Sequence, residues 1–279
     1  MVAIAEPATT AVADGSLTAT LNYYLDNGEK PYTTTSALGG LDVRSGGGQD
    51  PRKVLLRNGR QETKDFTLDR NGFRFIPHAT KVANFFDEAE IRSTYYAEME
   101  ALVTAETGAS RVVVFDHTLR TADDAVREAR KIREVVRRVH NDYTEWSGPQ
   151  RLRDILPEEA ERLLARRFAI VQVWRPISYP VETFPLGICD AQSLAASDLI
   201  VSERRYPNRV GQTYAITYNP AHHWYWFPRM RREEALVFKT YESRKDVARW
   251  TAHTAFDDPT AAPNARPRES IEIRTLALF

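Results

Sequence analysis

The chain has 279 residues, of which 42% are hydrophobic and 27% charged, and its 38 basic residues balance 38 acidic residues to a formal net charge of zero. This composition is enough to bury a sizeable core, and the balanced charge favours a small-molecule partner over nucleic acid or an anionic membrane. The lone cysteine, Cys189, excludes an intrachain disulfide and a cysteine-based zinc cluster and favours a cytoplasmic setting, while no apolar run approaches the ~20 residues of a membrane helix.

The N-terminal part of the chain combines one clear strand with turn-rich segments. Residues 1–16 are rich in alanine and threonine, show no periodicity and lack the basic and apolar regions of a signal peptide, so we expect a flexible tail. Leu17–Tyr24 is predicted to be a strand bounded by turn residues. The glycine-rich stretch 34–52 fits no phosphate-binding motif and predicts a mobile loop. Short extended segments are expected at 61–68 and 73–78.

The middle of the chain is mainly helical by its pattern. Apolar residues recur at helical spacing after Asp87, acidic residues occupy the first turn, and Gly108 follows the end. Thr121 is a candidate N-cap, and the acidic residues after Pro157 favour another helix start. We therefore predict helices over 87–106, 122–130 and 157–166, with a strand over 111–117 between the first two.

The C-terminal part of the chain has a different character from Phe168 onward. Short extended segments alternate with proline, glycine, asparagine or aspartate, which is typical of an antiparallel sandwich or barrel. With the preceding helices this pattern predicts an α+β fold, and residues 17–279 show no repeat or linker that would divide one domain. The eight predicted strands are 168–174, 186–191, 198–203, 212–218, 223–227, 235–240, 250–256 and 270–278.

A candidate metal-binding motif precedes these strands. His140 and Asp142 are two residues apart in a segment predicted to be extended, so both side chains would point to one face and could bind one ion. The alternative is a hydrogen-bonded surface pair. The third ligand must come from farther along the chain, where His253 is the leading candidate. His222 and His223 compete with it, but they adjoin an aromatic run that is more typical of a packed strand.

Two histidines and one carboxylate are the ligand set of non-haem iron(II) oxygenases, which keep the remaining coordination positions open. Two open positions suit the keto-acid end of 2-oxoglutarate, and the third suits O2. The far carboxylate of this dicarboxylate requires a cation, for which the planar fork of arginine is well shaped. Arg268 is the expected donor, and Ser270 would add a hydroxyl from the same strand face. Arg266 is the alternative arginine.

Together these residues resemble the H-x-D…H…R-x-S pattern of iron(II)/2-oxoglutarate-dependent oxygenases. The segments around them are similar to the hydroxylase/desaturase branch found in secondary metabolism, which includes the cephem 7-hydroxylase component and the fungal gibberellin desaturase. The resemblance extends from about Arg111 to the end of the chain. It is carried by Val139–Thr144, Trp174–Pro176, Pro185–Leu186, Cys189–Ala191, Phe238–Ser243, His253–Phe256, Asp258–Pro259 and Arg268–Ser270.

The resemblance implies a double-stranded β-helix (jelly roll, cupin-like) core over about 111–279, with Fe(II), 2-oxoglutarate and O2 as cofactor and co-substrates. It also implies that 2-oxoglutarate is decarboxylated to succinate while a C–H bond of a small secondary metabolite is attacked. Hydroxylation, desaturation or cyclisation would follow. The gap between His253 and Arg268 is longer than in plant-type members, which keeps Arg266 open as the 2-oxoglutarate ligand.

Four further residues are candidates for substrate binding. Gln172 and Trp174 alternate on one strand, so they would share a face and line the pocket. Arg175 and Arg120 could bind an anionic substrate or could instead be solvated or salt-bridged. Two other protein classes compete with the oxygenase. One is a cupin-like small-ligand binding protein or isomerase, and the other is a zinc hydrolase with the same three ligands.

Overall fold

A computed structural model describes residues 14–34, 43–207 and 209–279, so most of the predicted N-terminal tail lies outside the described residues. The described residues form two β-sheets and a few helices. The strands are β1 Leu17–Leu25, β2 Tyr32–Thr34, β3 Val43–Ser45, β4 Gly48–Asn58, β5 Phe73–Pro77, β6 Arg111–Thr121, β7 Arg133–Glu134, β8 His140–Asn141, β9 Phe168–Pro176, β10 Leu186–Cys189, β11 Leu199–Tyr206, β12 Arg209–Ile216, β13 Trp224–Trp226, β14 Glu234–Glu242, β15 His253–Ala255 and β16 Glu269–Leu278.

The helices lie mostly between β5 and β9. They are α1 Glu88–Glu90, α2 Tyr96–Thr107, α3 Asp124–Arg130, α4 Ser147–Ile155 and α5 Ala160–Leu164, with a π-helical turn Ile91–Tyr95 between α1 and α2. Short 3-10 turns are Gly59–Gln61, Ala191–Ser193 and Ala196–Asp198.

Most strand pairs in the two sheets are antiparallel. The larger sheet has the order β1-β4-β13-β10-β15-β8-β12-β11-β2-β3, and the smaller has the order β5-β14-β9-β16-β6-β7. All eight strands predicted after residue 168 are present, and the α+β class is confirmed. Strands that precede Arg111 extend both sheets, since β1 to β4 join the larger one and β5 borders the smaller one.

The smaller sheet separates α2 and the π-helical turn before it from the interior between the sheets, whereas α4 and α5 pack against Ile170 and Leu276 on its other face. Side chains on a strand alternate between faces, so Val171 and Val173 of β9 pack with Ile91 and Met99 of the helical layer. Gln172, between the two valines, points to the other face. The same alternation holds along β16, and it decides which side chains reach the functional site.

Three segments differ from the sequence-based expectation. The mobile-loop prediction for 34–52 is wrong over 34, 43–45 and 48–52, because β2 pairs with β3 and β4 pairs with β1 from Leu17↔Leu56 to Leu25↔Gly48. Residues 35–42 of that stretch lie outside the described residues. The extended segment at 61–68 is replaced by turns, and helix α4 was not predicted because Gly148 and Pro149 in its first turn resemble breakers.

Candidate active site

The three expected metal ligands converge where β8 meets β15. His140 opens β8 and pairs with His253, the first residue of β15, while Asp142 directly follows β8. The two imidazole centroids are 4.3 Å apart, and His140 Nε2 is 3.5 Å from Asp142 Oδ1. One ligand atom from each of the three side chains lies within 4.8 Å of the others. A single ion can therefore contact all three.

Both histidines are held in the tautomer that a metal requires. His140 Nδ1 is 2.8 Å from the carbonyl oxygen of Arg138, and His253 Nδ1 is 2.9 Å from that of Thr251. A carbonyl only accepts, so each Nδ1 donates and each Nε2 keeps its lone pair. Burial, reinforced by the neighbouring His253 ring, lowers the pKa of His140 to about 3, so its imidazole is neutral near pH 7.

Asn141 lies between the candidate ligands His140 and Asp142, and its side chain hydrogen-bonds this segment to other parts of the core. Its buried side chain donates to the carbonyl oxygens of Tyr143 at 2.7 Å and Thr240 at 2.9 Å. Its Oδ1 accepts from the backbone N–H of Thr251 at 3.2 Å. One amide thus links β8 to β14 and to the segment that leads into His253. No sequence pattern indicated this role.

The two carboxylate oxygens of Asp142 have different partners. Oδ2 accepts a 2.6 Å hydrogen bond from Gln172 Nε2 and two from Arg274, at 3.2 Å from Nε and 3.1 Å from Nη2. Oδ1 faces His140. Burial favours the neutral acid, but Arg274 and the imidazoles outweigh burial and hold the pKa of Asp142 well below its usual range. Asp142 is therefore ionised, and its Oδ1 faces the position where the three candidate ligands meet.

Arg268 and Ser270 lie on the interior side of β16. The Arg268 Nη1 donates to the carbonyl oxygen of Phe184 at 2.6 Å, and its guanidinium carbon is 5.3 Å from the Trp174 ring centroid. Among the described residues, Arg268 Nε and the Ser270 hydroxyl have no hydrogen-bond partner, although both side chains are almost fully buried. Burial and the nearby Arg120 lower the pKa of Arg268 to about 9. These groups are arranged to receive an anion.

Arg266, the alternative arginine, lies at the surface. Its Nη2 is 2.6 Å from Glu182 Oε1, and its guanidinium stacks on Tyr179 at 4.2 Å. Half of its side chain is exposed. It does not join the interior face that carries Arg268 and Ser270.

The four expected substrate-binding residues separate into two groups. Gln172 and Trp174 point toward the site, but they contact Asp142 and Arg268. Arg120 lies on the same interior and binds Glu272 at 3.3 Å. Arg175 is on the opposite face of β9. Its guanidinium contacts His78 Nδ1 at 2.6 Å and the Tyr95 ring at 5.3 Å, so the substrate-binding interpretation of Arg175 does not fit its position.

The two alternative histidines, His222 and His223, are not part of the cluster of candidate metal ligands. His222 is buried between the Tyr23 hydroxyl, 3.1 Å from Nδ1, and Asp198, 3.0 Å from Nε2. His223 is exposed. The sequence reasoning missed Glu272 and Arg274, which share the interior face of β16 with Ser270. The period-two run of polar residues in a strand otherwise rich in apolar side chains was the available signal.

Comparison with known proteins gives a consistent result. The family described as "Oxidoreductase/YMDC permease-like domain" matches residues 21–278. The chain is 31% identical to the Fe(II)/2-oxoglutarate-dependent dioxygenase nvfI of Aspergillus novofumigatus, over 81% of this chain and 83% of that protein. It is 32% identical to the hydroxylase/desaturase CTB9 of Cercospora beticola, over 90% of this chain and 88% of that protein.

A solved structure extends the likeness to the fold. The iron and alpha-ketoglutarate-dependent endoperoxidase NvfI superposes with a TM-score of 0.85 at 26% identity, covering 95% of this chain and 98% of that chain. The expected jelly-roll core is thereby confirmed. Within residues 14–34, 43–207 and 209–279, the helices are all too short or too polar to cross a bilayer.

Proposed function

Because the chain belongs to the iron(II)/2-oxoglutarate-dependent dioxygenases, we propose that His140, Asp142 and His253 bind its iron(II), and that Arg268 with Ser270 binds the distal carboxylate of 2-oxoglutarate. Fe(II), 2-oxoglutarate and O2 are the cofactor and co-substrates of this family. The observation that carries the residue assignment is a pair of buried groups, Arg268 Nε and the Ser270 hydroxyl, which have no hydrogen-bond partner within the described part of the chain and lie on the interior face beside the His-Asp-His cluster.

A buried guanidinium without a full set of acceptors is unfavourable by itself. A carboxylate at this position would accept from Arg268 Nε and from the Ser270 hydroxyl, which supports 2-oxoglutarate as the ligand. Trp174, whose ring lies beside the guanidinium, fixes the orientation of the fork. Arg266 is already paired with Glu182, which favours Arg268 for this role.

The metal, when bound, supplies the site where the keto acid is chelated and O2 is activated. The protein contributes the orientation of its ligands. Arg138 and Thr251 carbonyls hold the histidines, and Gln172 holds Asp142. These contacts fix which atom each of the three side chains would present to an iron(II) ion, namely Nε2 of each histidine and Oδ1 of Asp142.

We further propose that the substrate is a small secondary metabolite that undergoes hydroxylation, desaturation or cyclisation. The relatives named as hydroxylase/desaturase and the endoperoxidase neighbour support this chemistry over a cupin-like binding protein or isomerase. Arg120, on the interior beside the Arg268 guanidinium, is the candidate for contact with an anionic substrate. The single Cys189, buried and without a disulfide partner, supports a cytoplasmic location.

The test is succinate formation. The purified chain, incubated in air with Fe(II), ascorbate and 2-oxoglutarate, is expected to release succinate slowly even without substrate, and Asp142→Ala should abolish the release. Asp246→Ala, which removes an exposed carboxylate paired with Arg244, is the matched control and should retain it. Equal release by the wild type and Asp142→Ala would refute the proposed metal site.

A further inference from the structure

The side chain of Arg274 links the candidate metal ligand to a buried row of charges. Arg274 is on the interior face of β16, is buried, and sends Nε and Nη2 to the same oxygen of Asp142. Its Nη1 donates to Asp116 Oδ2 at 2.8 Å and to the Thr118 hydroxyl at 3.1 Å, and Nη2 also contacts Glu272. All three guanidinium nitrogens are therefore engaged.

This guanidinium is held firmly enough to direct another side chain. Asp116 and Thr118 lie on β6, which pairs with β16, and Glu272 lies two residues before Arg274 on β16 itself. The β6–β16 register shifts directly after Arg274, and such an irregularity commonly re-aims side chains near active sites. Glu272 also binds Arg120, which ties the row to a second arginine.

These hydrogen bonds determine which oxygen of Asp142 can face the metal position. With Gln172 and both Arg274 nitrogens on Oδ2, three donors occupy the oxygen that a bidentate carboxylate would need. Only Oδ1 is directed to the metal position. A second carboxylate oxygen on the metal would use one of the positions that 2-oxoglutarate and O2 require.

We propose that Arg274 is a positioning residue that holds Asp142 as a one-oxygen metal ligand and thereby sets the metal affinity and coordination number of the site. The inference rests on the metal site proposed above and goes beyond it to a residue outside the ligand set. Outer contacts that orient a metal ligand are typically worth about 10–100-fold in metal affinity. Arg274 has two opposing effects on metal affinity, because it orients Asp142 but its positive charge also repels a divalent cation.

The experiment separates orientation from charge. Mn(II) binding to the metal-free chain is measured by calorimetry in the wild type, Arg274→Met, Arg274→Lys and the double variant Arg274→Met/Glu272→Gln. The double variant keeps the net charge of the buried row, so it removes the donors without changing the overall attraction for the cation. Arg175→Met is the matched control, since it deletes another buried arginine of the same sheet on the face away from the metal ligands.

We expect the double variant to bind Mn(II) about 10–100-fold more weakly than the wild type, and Arg175→Met to bind it within about twofold. The absorption spectrum of bound Co(II) reports coordination and should change in the Arg274 variants but not in Arg175→Met. Thermal unfolding identifies any variant that fails to fold. If the double variant fails to fold, Mn(II) binding by Arg274→Lys, which keeps the charge but not the planar fork, becomes the test of the positioning role.

Unchanged or tighter Mn(II) binding in both the folded double variant and Arg274→Lys, with an unchanged Co(II) spectrum, would overturn the positioning role. It would show that Arg274 only balances charge in the core. Failure of the wild type itself to bind Mn(II) would instead refute the proposed metal site, so the two proposals fail on different measurements.

Discussion

Arg268 and Trp174 form a stacked pair, with the guanidinium carbon 5.3 Å from the indole centroid. Trp174 lies on β9 and Arg268 directly precedes β16, the strand that pairs with β9 in the smaller sheet. Arg268 also donates to the carbonyl oxygen of Phe184, which has a left-handed backbone with φ of 46°. The guanidinium is thus fixed in plane and direction before any carboxylate arrives.

This arrangement predicts the effect of Arg268→Lys. Lysine keeps a positive charge but loses the planar fork and the stacking on Trp174. The loss of a charge-assisted hydrogen bond costs about 1.5–3 kcal/mol, which corresponds to a roughly 10–100-fold increase in KM for 2-oxoglutarate. Succinate formation measured against 2-oxoglutarate concentration gives the value. Arg266→Lys, at the surface ion pair with Glu182, should leave KM within about twofold, and the reverse outcome would assign the carboxylate to Arg266.

Ser270→Ala is expected to affect binding without affecting stability. The Ser270 hydroxyl has no partner among the described residues, so its removal loses no internal hydrogen bond. Its loss from the bound carboxylate should cost about 1 kcal/mol, or roughly fivefold in KM for 2-oxoglutarate. Ser147→Ala is the contrasting control, since the Ser147 hydroxyl bonds Thr144 and Gln212 and its loss should lower the melting temperature with KM unchanged. A purely structural Ser270 would show the Ser147 behaviour.

The clustering of the three candidate metal ligands could be predicted because the chemistry of the residues and the spacing of two of them are local features. His140 and Asp142 stand two apart, and His253 precedes an arginine-serine pair in a strand-rich region. The eight C-terminal strands could be predicted for the same reason, since period-two patterns and turn residues are local features of the sequence. Arg268 was the expected arginine from its spacing to Ser270, with Arg266 left open, and the structure adds that Arg266 is paired with Glu182, which supports the proposal for Arg268.

The remaining parts of the site depend on distant pairing. Arg274 is separated from Asp142 by a large part of the chain, and no local pattern specifies which carboxylate meets which arginine. Arg175 illustrates the same limit. Strand alternation shows that Arg175 and Gln172 point to opposite faces of β9, but it does not show which face α2 covers. Strands β3 and β4 were hidden by the glycines of the turn between them, where Gly46 and Gly47 have positive φ.

Asn141→Ala should weaken both the fold and metal binding. The substitution leaves the carbonyl oxygens of Tyr143 and Thr240 and the N–H of Thr251 without their partner, which should cost about 2–4 kcal/mol of unfolding free energy. It also frees the backbone between His140 and Asp142. Urea unfolding and Mn(II) titration measure the two effects.

The control for Asn141→Ala is Asn71→Ala. Asn71 is a buried asparagine that bonds Asp190 and the N–H of Thr67, neither of which is a candidate metal ligand. Similar destabilisation is expected there with Mn(II) affinity unchanged. An equal loss of affinity in both variants would mean that global loosening, and not the position of Asn141, governs the metal site.

His222 makes stability depend on pH. Burial lowers the pKa of His222, and the bond to Asp198 only partly opposes the shift. Because the folded-state pKa lies below the unfolded value of about 6.5, the unfolded chain binds more protons in the interval between them, and stability falls as the pH drops below about 6.5. Above that pH the imidazole is neutral in both states and contributes no pH dependence.

His222→Gln tests this linkage, since glutamine can still hydrogen-bond Tyr23 and Asp198 but does not titrate. In the presence of a chelator, the free energy of unfolding from urea titrations at about pH 7.5, 6 and 5 should decrease less in His222→Gln than in the wild type. His223→Gln, at the exposed neighbouring position, should keep the wild-type profile. Identical slopes in His222→Gln and the wild type would show that His222 binds protons equally in the folded and unfolded chain, which its enclosure between Tyr23 and Asp198 argues against.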